Sequence, residues 1–407
     1  MSQLSVKIAI IGSGPGGLTL ARLLQKEDVP FTLYERDSSP DERNQGGSLD
    51  IHSGQVALRA AGLIEEFTKL ARFEADCTKL VAPDGTVLLN EAEGSKGGGG
   101  NEGGPPERSR PEIDRVVLRD MLLSSLDPGT VQYGYKLRGV EPCTDSSGKE
   151  TYTLDFGRDV KEGPFDVVIG ADGASSRVRP ILTDAKPFYS GITAVELWAL
   201  EVEKRHPWLA SYVGAGNCWM FDQDRAVFAQ RNGNESIRVY ACVKRADEDW
   251  SEACGIDWLG SSTRQQLVDK EFADCGEDVK KMIMDADDRL VLRRLEMLPV
   301  GMTWPRHGGV TLLGDAAHVM TPFAGEGVNA AMQDAHELSE AIVSGVGKGV
   351  EGVVEELGVY ERRMFERTRG LAQTTWDQMQ GMCFSKDGAD KFLELISSGG
   401  PPTRADE

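Results

Sequence analysis

Residues 6–17, Val-Lys-Ile-Ala-Ile-Ile-Gly-Ser-Gly-Pro-Gly-Gly, decide the reading of the whole chain. The first half is short, apolar and β-branched, as a buried parallel strand must be. The second half, Gly12 to Gly17, fits G-x-G-x-x-G. In that pattern Gly12 allows the tight turn out of the strand and Gly14 lets backbone approach a pyrophosphate. Gly17 lets the following helix pack closely, with its N-terminal N–H groups facing the phosphates. Leu18, Leu20, Leu23 and Leu24 give that helix its apolar stripe. A second strand, Phe31–Tyr34, ends at Glu35, whose carboxylate suits an adenosine ribose hydroxyl. The unit is therefore β–α–β, and it predicts a bound dinucleotide. An acid at this position disfavours a 2′-phosphate in the first site, leaving NAD or FAD.

Working outward, Ser53 and Gly62 bracket a short predicted helix as N-cap and stop. Residues 94–109 are Gly-rich and aperiodic, a predicted surface loop. Helix 114–126 and a buried strand at Phe165–Gly170 follow. Strand-like segments around 192–202, 218–221, 226–230 and 236–243 predict a mostly antiparallel sheet, with helices near 263–273 and 277–285. A buried strand returns at Gly309–Leu313, ahead of two long helices near 326–344 and 350–381.

Composition narrows the function classes. The 407 residues carry 65 acidic against 45 basic side chains, a formal charge of -20, which disfavours nucleic acid and anionic membranes as partners. Seven scattered cysteines form no C-x-x-C pair, so neither a metal site nor a disulfide framework is expected, and a reducing cytoplasmic setting fits. No signal peptide is visible, and no apolar run reaches the roughly 20 residues that span a bilayer. A monomer is the expectation.

Two further motifs separate NAD from FAD. Ala171-Asp172-Gly173-Ala174-Ser175-Ser176-Arg177-Val178-Arg179 resembles the GADG-x-x-S-x-V-R segment of the aromatic-hydroxylase (class A) flavoprotein monooxygenases. Gly314-Asp315-Ala316-Ala317-His318, followed by Pro322-Phe323-Ala324-Gly325-Glu326-Gly327-Val328-Asn329, resembles that family's second FAD motif. The order and separation of all three motifs match, and the resemblance spans nearly the whole chain. It implies an α/β fold: a Rossmann-like FAD-binding domain (1–186 and 301–345), an inserted mostly antiparallel substrate domain (187–300) and a C-terminal helical segment (346–407). It also implies bound FAD, transient NADPH or NADH, O2 as co-substrate, and hydroxylation of a small aromatic or polycyclic molecule through a flavin C4a-hydroperoxide. FAD-dependent oxidase or reductase chemistry on the same scaffold, or a non-catalytic FAD-fold binding protein, are the competing readings.

Physical roles accompany the resemblance. Asp315, ending a buried strand, could accept from a ribityl hydroxyl. The helix starting at Gly327 and Val328 would aim N–H groups at the flavin pyrimidine edge, where the reduced ring is anionic. No side-chain nucleophile, acid, base or metal is required. His318 has no triad partner by spacing and reads as a packing or hydrogen-bonding histidine. Residues 46–55 (Gly46 to Gln55) and 110–119 (Arg110 to Arg119) look like the tetracycline-inactivating flavin monooxygenases. That likeness implies cofactor contacts at Gly47, Asp50 and Arg115, a nicotinamide-cofactor role for Arg43, and Arg36 beside Glu35. Asp172 joins this cofactor set from the second motif. Positions that would face substrate read Glu196 and Arg238, a charged pair that puts tetracycline itself in doubt. Trp198, Trp219, Phe221, Phe228 and Tyr240 are candidates to line a flat cavity or simply to fill core.

Overall fold

The computed structural model describes residues 6–42, 46–94, 110–144, 148–287 and 289–397. Two compact units emerge. The first is drawn from residues 1–71, 115–188 and 296–375, the second from 72–114, 189–295 and 376–407.

The first unit is built on a five-stranded parallel sheet. Its order is Val310–Leu312, Val167–Gly170, Ile8–Ile11, Thr32–Tyr34 and Val131–Gln132. Ile8, Ala9, Ile10 and Ile11 are all buried, as expected of a strand covered on both faces. The helix Pro15–Lys26 buries Leu18, Leu20, Leu23 and Leu24. Pro15 at its first position has no N–H to waste, and its fixed φ suits the start. Helix Gly54–Ala61 stops at Gly62, left-handed at φ +74°, as read from sequence. Ser53, expected to cap it, makes no side-chain cap bond. Glu150–Gly157 lies between Gly139–Thr144 and Val160–Phe165 in a separate antiparallel sheet, so Phe165 belongs to this hairpin and the buried parallel strand begins at Val167. Helices Gly327–Val346 and Gly349–Gln378 complete the unit, apart from the last residues of the second.

The second unit is a seven-stranded mixed sheet. Four of its strands are Phe188–Ala199, Ile237–Lys244, Arg225–Arg231 and Asn217–Phe221, paired antiparallel in that order. Thr78–Val81 then adds parallel to Asn217–Phe221, with Val87–Asn90 at one edge and Leu290–Met297 at the other. The sequence reading assigned the chain before 187 to the nucleotide-binding part. The pairing instead carries 78–90 into this sheet, because Leu80 and Val81 supply two fully buried positions. One sheet face packs Val195, Leu197, Val239, Ala241 and Val227 on helices Thr263–Glu271 and Glu277–Met284 through Leu267, Val279 and Ile283. Strand alternation sends the intervening residues to the opposite face. No helix among the described residues is long and apolar enough to cross a membrane.

Candidate cofactor site

Three of the parallel strands end in glycine turns, and all three turns fall at the C-terminal edge of the sheet, where open α/β sheets take ligands. Gly12 has φ +106°, and a Cβ there would stand 2.4 Å from the Ala171 carbonyl oxygen, so the first and second motifs touch. Gly17 is equally constrained, since its Cβ would lie 2.0 Å from the Gly12 carbonyl oxygen. A Cβ on Gly14, by contrast, meets nothing within 4 Å. Space is therefore left open where the fingerprint brings backbone up to a pyrophosphate. The first amide of this helix to find a backbone partner is Leu18, bonded to Gly14 at 2.9 Å, and no side chain caps the start. The amides of the first turn stay available to an anion.

Glu35 follows the second strand. Its Oε2 accepts from both the backbone N–H and the hydroxyl of Ser13, each at 2.8 Å, and Oε1 accepts from the Asp37 N–H at 3.0 Å. Burial pushes this carboxyl up, but the Ser13 and Asp37 donors outweigh it and the net direction is down. Oε1 retains acceptor capacity for a hydroxyl. Arg36 is exposed beside it.

Asp172 is tied by Oδ2 to the Arg177 N–H at 2.6 Å, whereas its Oδ1 is buried with no hydrogen-bond partner among the described residues. Burial raises its pKa. Arg179, 4 % exposed, carries the second motif to the third: Nε donates to the Ala316 carbonyl at 2.7 Å and Nη2 to that of Asp315 at 3.3 Å. The Asp315 side chain is left exposed at the end of strand Val310–Leu312.

The helix Gly327–Val346 also begins without a side-chain cap, and its first backbone bond runs from Ala330 to Glu326. A Cβ on Gly327 would meet nothing within 4 Å, and Val328 is half-buried beside it. Asn329, fully buried, ties this end down. Its Oδ1 accepts from the His52 and Gly54 amides, both at 3.0 Å, while Nδ2 donates to the Asp50 and Gly325 carbonyls at 3.0 and 3.1 Å. The strand carrying Asp50 is thus bonded to the third motif. Gly47 accepts from the Arg115 N–H at 3.2 Å, and the Arg115 side chain covers Gly46, where a Cβ would meet its Cδ at 2.5 Å. Arg43 lies outside the described residues.

Sequence reasoning missed two groups here. Asn329 was visible as a motif letter, but three of its four bonds are non-local and leave no periodic trace. His318 does have a carboxylate partner: Nε2 lies 2.6 Å from Oδ2 of Asp334, sixteen residues away on the next helix. The reading of His318 as a hydrogen-bonding residue stands. An acid in a helix interior facing the core was the available signal.

In the second unit, Glu196 and Arg238 are 1 % and 6 % exposed and bonded to each other at 3.2 Å, with Arg293 on the other Glu196 oxygen. The Arg238 guanidinium stacks 4.2 Å over Trp198. Glu196 and Arg238 neutralise each other within the sheet, and Arg293 leaves the cluster one positive charge in excess. Register sets Glu196, Tyr240, Phe228 and Trp219 in one row across the sheet face opposite the helices. Phe221 lies on that face too, and Phe392 packs edge-on against it and Trp219. Trp198 and Phe221 are buried, whereas Trp219, Phe228 and Tyr240 are half-buried.

Comparison with known proteins gives this geometry its context. Residues 5–356 match the family model described as FAD binding domain. The monooxygenase asqM of Emericella nidulans is 29% identical over 98% of this chain and 100% of its own length. The 2-heptyl-3-hydroxy-4(1H)-quinolone synthase of Pseudomonas aeruginosa is 31% identical over 82% of this chain and 79% of its own. The crystal structure of tetracycline destructase Tet(51) superposes with a TM-score of 0.66 at 16% identity, over 98% of this chain and 96% of that one, a likeness of fold. The chain belongs to the FAD binding domain family and is an FAD-dependent monooxygenase.

Proposed function

We propose that the enzyme hydroxylates a small aromatic or polycyclic molecule, and that its FAD is held by the residues gathered at the C-terminal edge of the parallel sheet. The observation that carries the proposal is the open space at Gly14 between the tightly packed Gly12 and Gly17. Gly16 is packed as well, its Cβ 2.7 Å from Leu313 Cδ1, so packing accounts for three of the turn's glycines and only the admission of something else accounts for Gly14.

In this reading the Gly12–Gly17 turn and the first amides of its helix hold the pyrophosphate. Glu35 orients the adenosine ribose, with Arg36 beside it. Asp172 and Asp315 accept from donors of the cofactor, Asp315 from the ribityl chain. Gly47, Asp50 and Arg115 would contact the FAD, and Arg43 would serve the nicotinamide cofactor. The amides of Gly327 and Val328 present a fixed positive dipole to the pyrimidine edge, where charge grows on reduction. Bound FAD supplies hydride acceptance from NAD(P)H and the activation of O2. The protein side chains need to bind, orient and exclude water, and none needs to act as nucleophile.

Substrate class is supported by two facts. The Pseudomonas relative is named for a quinolone, a flat bicyclic ring. The row Tyr240, Phe228 and Trp219 offers half-buried aromatic surface on one sheet face, suited to such rings. A monomer working in the cytoplasm completes the proposal, supported by seven unpaired cysteines, of which Cys218, Cys242, Cys275 and Cys383 are buried.

The test is a panel of phenols, hydroxybenzoates and quinolones, following NAD(P)H loss, oxygen uptake and product mass together. A productive substrate stimulates all three and gains the mass of one oxygen. Stimulated oxidation across the panel without that gain overturns hydroxylation as the reaction.

A further inference from the structure

Asp334 lies inside the helix Gly327–Val346 with its side chain fully buried. A carboxylate there costs several kcal/mol of desolvation unless every lone pair is used. Its partners show what the cost secures. Oδ2 accepts from the Gly314 N–H at 2.8 Å and from His318 Nε2 at 2.6 Å. Oδ1 accepts from Arg367, which also grips Glu337. Burial pushes the Asp334 carboxyl up, but His318, Arg367 and the Gly314 amide more than offset it, and the group stays ionised.

Both Oδ2 donors belong to the five-residue turn that carries Asp315. Gly314 takes φ +59°, and a Cβ on it would come within 3.0 Å of the Ala331 side chain, so the turn is pressed onto the helix. His318 closes the turn, and among the described residues its buried Nδ1 has no partner, which leaves the Asp334 bond as the ring's tether. Arg179 holds the same turn from the opposite side through the Asp315 and Ala316 carbonyls. The exposed Asp315 side chain therefore projects from a peptide whose preceding N–H and following C=O are both fixed.

We propose that Asp334 is a positioning residue for FAD binding, setting the aim of the Asp315 carboxylate by anchoring Gly314 and His318. The inference rests on the reading of Asp315 as an FAD contact. Asp334 touches neither cofactor nor substrate in this scheme and acts only through the turn.

A double-mutant cycle on FAD affinity tests it. Flavin is removed from the purified full-length chain, and FAD is titrated back while its fluorescence is followed, with the melting temperature of each apoprotein recorded alongside. Asp315→Ala weakens FAD about tenfold, the loss of one hydrogen bond of about 1.4 kcal/mol. Asp334→Asn keeps the shape but cannot serve all three donors, and weakens FAD by a similar factor. The combined variant binds no worse than Asp315→Ala alone. Where Asp334→Asn fails to fold, His318→Asn, which cuts one tether, takes its place in the same cycle. Additive losses in the combined variant overturn the positioning role while leaving the Asp315 assignment intact. Unchanged FAD affinity in Asp315→Ala overturns the assignment itself.

Discussion

Replacing Gly14 with valine separates cofactor binding from folding more cleanly than any other single change in the turn. The backbone at Gly14 is extended, φ -72° and ψ 177°, a conformation valine adopts without strain. The added Cβ meets no protein atom within 4 Å. The remaining penalty is helix capping, where glycine outranks valine by roughly 1 kcal/mol. Melting of the apoprotein should fall by only about 2–4 °C. The new methyl groups occupy the space where a pyrophosphate would approach the helix amides. Losing those bonds should weaken FAD by at least ~100-fold, about 2.7 kcal/mol. Gly17→Ala supplies the contrast: its Cβ would sit 2.0 Å from the Gly12 carbonyl, so the turn must move and the fold should lose about 1–3 kcal/mol. The assay is the ratio of flavin to protein absorbance in purified protein, with FAD titration and thermal melting of the apo form. A Gly14→Val protein that holds stoichiometric FAD would falsify the assignment of this turn to the pyrophosphate.

Two other outcomes follow from the geometry. Asn329→Ala strips partners from the His52 and Gly54 amides and the Asp50 and Gly325 carbonyls, and should cost at least about 2–4 kcal/mol of stability in urea unfolding; a loss below 1 kcal/mol would show these groups find water instead. Glu35 has its carboxyl held below the ordinary value of 4.5, so its stabilisation is full above that pH and fades as pH falls through the lowered folded value. Glu35→Gln should therefore destabilise the apoprotein by about 1–2 kcal/mol at pH 7 and by much less at pH 3, and a pH-independent difference would contradict the ionised hydrogen-bonded state.

Local patterns proved readable and distant ones did not. The strand at 8–11, the glycine turn and the four leucines of the first helix are all written in consecutive residues, where periodicity and backbone freedom leave a mark. Gly62 is a similar case, since its left-handed conformation is a property of one residue. Ser53 shows the limit: the residue type was right for a cap, but the local turn does not direct its hydroxyl to the helix amides. Strands Thr78–Val81 and Val87–Asn90 were invisible as members of the larger sheet, because membership depends on pairing with residues about 140 positions away. The charged pair Glu196 and Arg238 was legible as unusual, but Arg293, the second guanidinium on Glu196, comes from the strand Leu290–Met297, which the sequence reading did not pick out. His318 and Asp334 illustrate the same point within the cofactor site.

The threading of the chain has a consequence for how it is made. Each compact unit is assembled from three separate stretches, and the parallel sheet receives its last strand only at Val310–Leu312. During synthesis the strand at Val167–Gly170 must wait, one edge bare, until about 140 further residues have left the ribosome. Such long-range pairing is slow, and an unpaired strand edge invites association with other chains. Chaperone dependence and inclusion bodies on rapid overexpression are the natural cost of this layout, and any single continuous stretch expressed alone, holding only part of a unit, should yield insoluble material.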